Sequence, residues 1–404
     1  LTLGQDAYRD PNVYTLVLDV DRNFQQAAPY IPSFMWSGFA VTNPTESPVQ
    51  RVSLTSYDED GIPIHTSLGP LTMEPGEKRV LLLDQLPWRK HEFAMIDRVV
   101  LKADGFVNFL NLFGNPDGEH MSSFSRPMPQ DDRLVVPGTL MATSDGRKLF
   151  TQILNPTDEE TPVTLSLFAQ DGAFVKQLET TIGAGEKLNL QPGRAPFFYS
   201  MSDTHWIEVA NRSGNLMAGF QTESDAASAE AVMLAKVDGG TKIIPHVPPH
   251  AGNWNLMVTL INPNDAENRI RLHPAAAGTD AYDDLVVVLG PREKRMVDVQ
   301  SHFARPAGDR LHHSLISVSG DLPFVGWYAY GAPGGGDSAV FPLIEEADHD
   351  AALVMPHNAG SGGGAWWTGV CIGNPLDQTV SVLVEPYDAA GAVMSERVKT
   401  LDLA

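Results

Sequence analysis

Four stretches of this chain share one pattern of apolar and polar positions, and each closes on Asn-Pro. They are MWSGFAVTNP ending at Pro44, RKLFTQILNP ending at Pro156, NWNLMVTLINP ending at Pro263 and GAWWTGVCIGNP ending at Pro375. Two and four positions before each Asn stand apolar or small β-prone residues: Phe39 and Val41, Thr151 and Ile153, Val258 and Leu260, Val370 and Ile372. That alternation predicts a strand with one face on a core. Asn43, Asn155, Asn262 and Asn374 then end it as structural turns. Asn satisfies local backbone groups, and Pro has no N–H for the next ladder position. The steps between the four are 112, 107 and 112 residues, a period that sets the architecture before any single residue does.

Aligning on these pairs brings out further landmarks. VSLTSYDEDGIPI, VTLSLFAQDGAFV and VSVLVEPYDAAGAVM each read as two strands joined by an Asp/Gly turn, and IRLHPAAAGTDAYDDLVVV as a looser version. The turns PGEK, AGEK and PREK follow in repeats one to three. Then a strand pair recurs around Gly105, Gly214 and Gly320, 109 and 106 residues apart. Prolines 32, 137, 245 and 356 open the units.

About seven short strands per unit, with turn signals and no convincing helix, predict an all-β chain of tandem immunoglobulin-like β-sandwich domains. The expected boundaries are an N-terminal strand segment 1–31, repeats 32–136, 137–244 and 245–355, and a partial fourth repeat 356–404. Half a sandwich leaves an apolar face and open backbone edges in water. The fourth repeat is therefore expected to be completed by residues 1–31, by another subunit through strand addition, or by sequence beyond Ala404.

Composition changes the picture mainly by exclusion. With 28 basic and 50 acidic residues the formal charge is −22, spread along the chain, which disfavours nucleic acid and anionic membranes as partners. No apolar run approaches the ~20 residues of a transmembrane helix. The one cysteine, Cys371, allows no internal disulfide. It lies where the other repeats carry Ala40, Gln152 and Thr259, a packing position rather than a nucleophile's.

Candidate chemistry is sparse. His246, His250 and His357 sit in corresponding loops and are the best metal-ligand candidates, yet no shared helix face or following Glu supports a zinc site. Metal is expected to be unnecessary for folding, and no cofactor is expected. The acidic clusters at 19–23, 57–61 and 280–284 lack the spaced ligands of a calcium loop, and hairpin turns explain YDEDG better. No G-x-S-x-G elbow occurs, and GSGGGAW has no helix after it to hold phosphate. Aromatics are the remaining lead. Trp36, Trp254, Trp366 and Trp367, together with Trp206 and Trp327, lie near strand ends. They either pack in cores or stack on sugar rings.

MPHNAGSGGGAWWTGVCIGNP with PYDAAG, and IPHVPPHAGNW, carry a Pro-His loop, a Gly-rich patch, a Trp-containing strand, Asn-Pro and an aromatic-Asp hairpin. This pattern resembles tandem β-sandwich modules of large bacterial secreted and cell-surface proteins. Repeats one and two lack the Pro-His. The resemblance implies export, adhesion or scaffolding, outside the cell, on its surface or in the periplasm, and supplies no catalytic residue. The expectation is a non-enzymatic, semi-rigid scaffold that binds other protein subunits. Carbohydrate binding through loop aromatics is the alternative.

Overall fold

The computed structural model describes residues 13–16, 36–58, 62–82, 98–105, 107–114, 121–124, 131–140, 148–193, 199, 205–224, 229–247, 255–275, 283–303, 315–331, 338–345, 372–374, 378–388 and 392–403. The chain is all-β and built of small antiparallel sheets.

Repeat one contributes β1 (Val13–Leu16), β2 (Trp36–Thr42), β3 (Val49–Tyr57), β4 (Pro63–Met73), β5 (Lys78–Leu82), β6 (Arg98–Lys102), β7 (Asn108–Gly114) and β8 (Met121–Phe124). They form two sheets, β1-β6-β3-β4 and β5-β2-β7-β8. Repeat two contributes β9 (Arg133–Val136), β10 (Lys148–Leu154), β11 (Thr161–Phe168), β12 (Phe174–Ile182), β13 (Lys187–Leu190), β14 (Trp206–Asn211), β15 (Ala218–Ser224), β16 (Ala229–Met233) and β17 (Ala235–Lys236). Its sheets, β12-β11-β14-β9-β17 and β13-β10-β15-β16, repeat the same plan with one added strand.

Repeat three contributes β18 (Lys242–Ile244), β19 (Asn255–Ile261), β20 (Asn268–Ala275), β21 (Leu285–Leu289), β22 (Lys294–Asp298), the helical turn α1 (Val299–His302), β23 (Leu315–Gly320), β24 (Val325–Gly331), β25 (Ser338–Pro342) and β26 (Ile344–Glu345). The plan recurs as β21-β20-β23-β18-β26 and β22-β19-β24-β25. In repeat four the described strands are β27 (Val380–Val384) and β28 (Lys399–Leu403), which pair antiparallel and leave Leu383 and Leu401 exposed.

In repeats two and three the two sheets share one core. In repeat two, Ile153 of β10 and Leu190 of β13 pack with Leu134, Val163, Leu165, Ile207 and Val209 of the other sheet. Ile153, Leu134 and Val209 have no exposed surface, and each such aliphatic side chain contributes roughly 1.5–3 kcal/mol by leaving water. The inward residues of β11 alternate with half-buried or exposed ones, as the period of two requires.

The structure corrects the expected layout in two respects. Strands β9 and β18 precede Pro137 and Pro245, but they bond to β14 and β23 of the repeat that follows. Each proline therefore closes the first strand of a unit, where its missing N–H does no harm. By the same register, β1 bonds to β6, so Val13–Leu16 is the first strand of repeat one rather than a separate segment. Strand order is the second correction. Immunoglobulin domains pair strands as ABED and CFG in chain order. Here the first strand joins the sixth and the second joins the seventh, so immunoglobulin order does not hold. Strand count and spacing are similar in the two plans, and neither fixes which sheet a strand enters.

The chain divides into two compact units, residues 1–127 with 349–404, and residues 128–348. The second unit holds repeats two and three together.

Candidate functional site

The Asn-Pro positions are built alike. Asn155 Nδ2 donates to the carbonyls of Glu159 at 2.7 Å, Gly183 at 2.9 Å and Ile182 at 3.1 Å, while its Oδ1 accepts from the Thr157 amide and hydroxyl. Asn43 serves Ser47 and Met73 with Thr45 donating back, and Asn262 serves Ala266 and Gly290 with Asn264 donating back. Asn374 reaches Gln378 and Leu403. One amide thus ties the strand end to its own turn and to a strand some thirty residues on. The Glu of each E-K turn works beside it. Glu77, Glu186 and Glu293 accept the amide three residues back, and their own carbonyls take the Asn amide N–H. The Asp of the hairpin turns is likewise engaged. Asp58, Asp171 and Asp388 accept the N–H groups of Ile62, Ala173 and Ala392.

Of the candidate residues, Trp254, Trp366, Trp367, His250 and His357 lie outside the described residues. Trp36 stands on β2 opposite Gly114. His246 follows β18 half-buried, and its carbonyl accepts the Tyr330 hydroxyl at 2.7 Å. Among the described residues no group of three His, Cys, Asp or Glu side chains is placed to hold a metal ion, and no helix is long and apolar enough to cross a membrane.

The most elaborate polar construction is the junction between repeats two and three. Its apolar part joins Val135, Leu140, Phe168, Trp206 and Val232 to Ile261, Val325, Trp327, Ala329 and Val340. Both indoles are buried, and each donates across the junction. Trp206 Nε1 bonds to the Arg292 carbonyl at 2.9 Å, and Trp327 Nε1 to the Met233 carbonyl at 3.2 Å. Phe168 stacks on Trp206 with centroids 4.5 Å apart.

Around this core runs a charged rim. Glu208 accepts Arg133 at 2.9 Å and Arg292 at 2.5 Å, Arg133 also donates to the Pro263 carbonyl, and Arg292 reaches Asp265 at 2.8 Å. The Arg292 guanidinium, hydrogen-bonded to Asp265, holds that carboxyl below its ordinary range. It also lies over the Phe168 ring, 5.4 Å from its centroid, in a cation–π contact. Lys294 enters from the same turn and is buried, donating to the carbonyls of Pro137 and Thr139 at 2.6 Å and of His205 at 3.2 Å. Gly172, at φ +86°, faces this turn, and a Cβ there would overlap the Pro291 carbonyl. An open depression lined by Ala169, Gln170, Asp171, His205 and Glu293 adjoins it.

A second buried cation belongs to repeat three alone. Lys242 pairs with Asp238 and Glu345 and lies 5.5 Å from the Phe324 ring centroid, tying β18 to β26. Burial raises the Glu345 carboxyl.

The role of Arg292 was missed from sequence, although a signal existed. PREK carries Arg where PGEK and AGEK carry Gly, and the structure holds Arg292 at φ 59°, against 72° for Gly76 and 67° for Gly185. A non-glycine there costs roughly 1 kcal/mol, so the side chain must return something. Arg292→Gly is expected to relieve that strain but remove both ion pairs, for a net loss of about 1 kcal/mol. Urea unfolding of the full chain measures it, and an unchanged or raised midpoint would count against the junction role.

No family model, curated protein or solved structure matches the chain.

Proposed function

We propose that the chain is a non-enzymatic structural protein of a bacterial envelope or exterior, a semi-rigid scaffold of two-sheet sandwich modules that holds other protein subunits. The observation carrying this reading is the reciprocal pair of buried tryptophans, Trp206 and Trp327, each bonded to the neighbouring repeat. Two cores sealed by apolar side chains, interlocking indoles and charge pairs make a stiff rod section rather than beads on a string. The sandwich reading rests on the shared cores and on strands that alternate between the sheets of a repeat. A propeller blade, the other use of four-stranded sheets, is a self-contained sheet around a central channel.

Pulling single molecules tests the stiffness. Repeats two and three should give way in one event whose length gain spans both, and two separate half-sized events would reject a rigid pair. Fractionation of cells carrying a tagged chain tests placement, and a purely cytoplasmic distribution would reject it.

Carbohydrate binding remains a second reading because Phe341, 41% exposed, stacks on Tyr328 beside Tyr330. Saturable quenching of tryptophan fluorescence by an oligosaccharide, lost in Phe341→Ala, would favour it over the scaffold.

A further inference from the structure

Strands β4, β12 and β21 each end the sheet that holds the first strand of their repeat, with one hydrogen-bonded neighbour among the described residues. A strand in that place offers a row of backbone N–H and C=O groups to any extended chain, and proteins guard such edges with proline, charge or a bulge. β4 carries Pro63 and Pro70 and pairs irregularly with β3. β12 carries Lys176 and Glu179. β21 reads LVVVL, with no charge, no proline and an unbroken register against β20. Of the three equivalent edges it is the unguarded one, and Val286 on it is 42% exposed.

The face beside this edge carries the opposite sign to the chain as a whole. In β20, Ile270 and Leu272 turn inward to the core, which sends Arg269, Arg271 and His273 outward, all three exposed. Repeat two has Pro162, Thr164 and Ser166 at these positions. The register sets Arg269 opposite Val288 and Arg271 opposite Val286, and opposite residues share a face. Two arginines and a histidine thus stand one strand in from the edge, on a chain of formal charge −22. Two of them already lean outward. Arg271 Nε reaches Asp284 Oδ2 at 3.1 Å and His273 Nδ1 meets Asp284 Oδ1 at 2.7 Å, and Asp284 immediately precedes β21. Among the described residues no carboxylate answers Arg269.

We propose that β21 is a docking edge that takes an extended acidic segment of a partner protein as the sixth strand of the β21-β20-β23-β18-β26 sheet. Backbone bonds to β21 supply affinity for an extended chain of any sequence, and the side chains along it supply the choice. The outward side chains of the added strand lie two strand spacings from β20, about 9.5 Å. A glutamate there meets an arginine above the valine that separates them. Aliphatic residues at the alternate positions face inward beside Val287 and Leu289 and extend the core. The preferred segment therefore alternates carboxylate and aliphatic residues, and a basic segment is repelled. This inference rests on the reading of the chain as a holder of other subunits, and it names the edge and the chemistry that hold one.

The test uses the full chain and a short fluorescein-labelled peptide of alternating valine and glutamate, followed by anisotropy beside glutamine and lysine versions. The glutamate peptide should bind about tenfold more tightly than the glutamine one, as two exposed ion pairs allow, and lose that margin in about 1 M salt. Amide hydrogen exchange within Leu285–Leu289 should slow as it binds. Arg269→Glu combined with Arg271→Glu should reverse the preference, so that the lysine peptide binds more tightly. Should that double variant fail to fold, Val286→Glu serves, since it sets a like charge beside the added strand and should weaken the glutamate peptide more than the glutamine one. Equal binding of the three peptides, unchanged exchange in β21, or a preference that survives the substitutions would overturn the proposal. So would slowing of the same amides with protein concentration alone, which would put a second copy of the chain on the edge. Failure here leaves the single-event unfolding of repeats two and three untouched, so the scaffold reading is judged separately.

Discussion

Trp206→Ala is expected to cost about 3–5 kcal/mol, the range for emptying a fully buried large aromatic site, and to split one unfolding transition into two. Trp206 has no exposed surface, opens β14, stacks on Phe168 and donates to the Arg292 carbonyl. Its removal leaves a cavity on repeat two and an unpaired carbonyl on repeat three. The damage therefore falls on the coupling between them as well as on one core. Trp206→Phe keeps an apolar ring but loses the N–H and part of the ring volume, so it should fall between the wild type and Trp206→Ala, at about 1–3 kcal/mol. Urea titration of the full chain, followed by tryptophan emission and far-ultraviolet dichroism together, checks this. A single coincident transition at the wild-type midpoint in Trp206→Ala would refute the coupling.

The second large effect is expected at Asn155. Replacement by alanine withdraws the donor from Glu159, Ile182 and Gly183 and the acceptor from Thr157. Each buried polar group left without a partner costs about 1–3 kcal/mol, and water can reach some of these, so the net loss is about 2–4 kcal/mol. Asn155→Asp should be no milder, because a carboxylate would face carbonyl oxygens. At Asn374, which is half-buried, the same change should cost less than about 1 kcal/mol. Thermal melts of the three variants rank these effects. An Asn155→Ala loss no larger than that of Asn374→Ala would remove the structural weight placed on the buried amides.

Much of this was legible because it is local. An Asn-Pro at the end of an alternating run, or an Asp/Gly turn between two runs, acts within a few residues, and its chemistry can be read where it stands. Val13–Leu16 falls in the segment read as an N-terminal strand, and only its membership of repeat one escaped, because nineteen residues separate it from β2, against eleven between β9 and β10 and ten between β18 and β19. Sheet membership escaped because each of repeats one to three sends its first and sixth strands to one sheet and its second and seventh to the other, pairings with no signature in spacing. The tryptophans were legible only as a choice between core and ligand platform. For Trp206 and Trp327 burial is decided by a surface belonging to the next repeat, which no window around either residue contains. Lys294 looked like its two counterparts for the same reason.

The arginine at φ 59° in the PREK turn also bears on how such an array is able to evolve. Interchangeable repeats can be duplicated, lost or reordered without penalty, because each neighbour offers the same face. Arg292 ends that freedom for one boundary. It reads Glu208 and Phe168, the repeat in front of it must present both, and a copy of repeat two set in its place would bring Gly185 instead. One turn position thereby turns a string of alike units into a sentence whose second and third words have a fixed order.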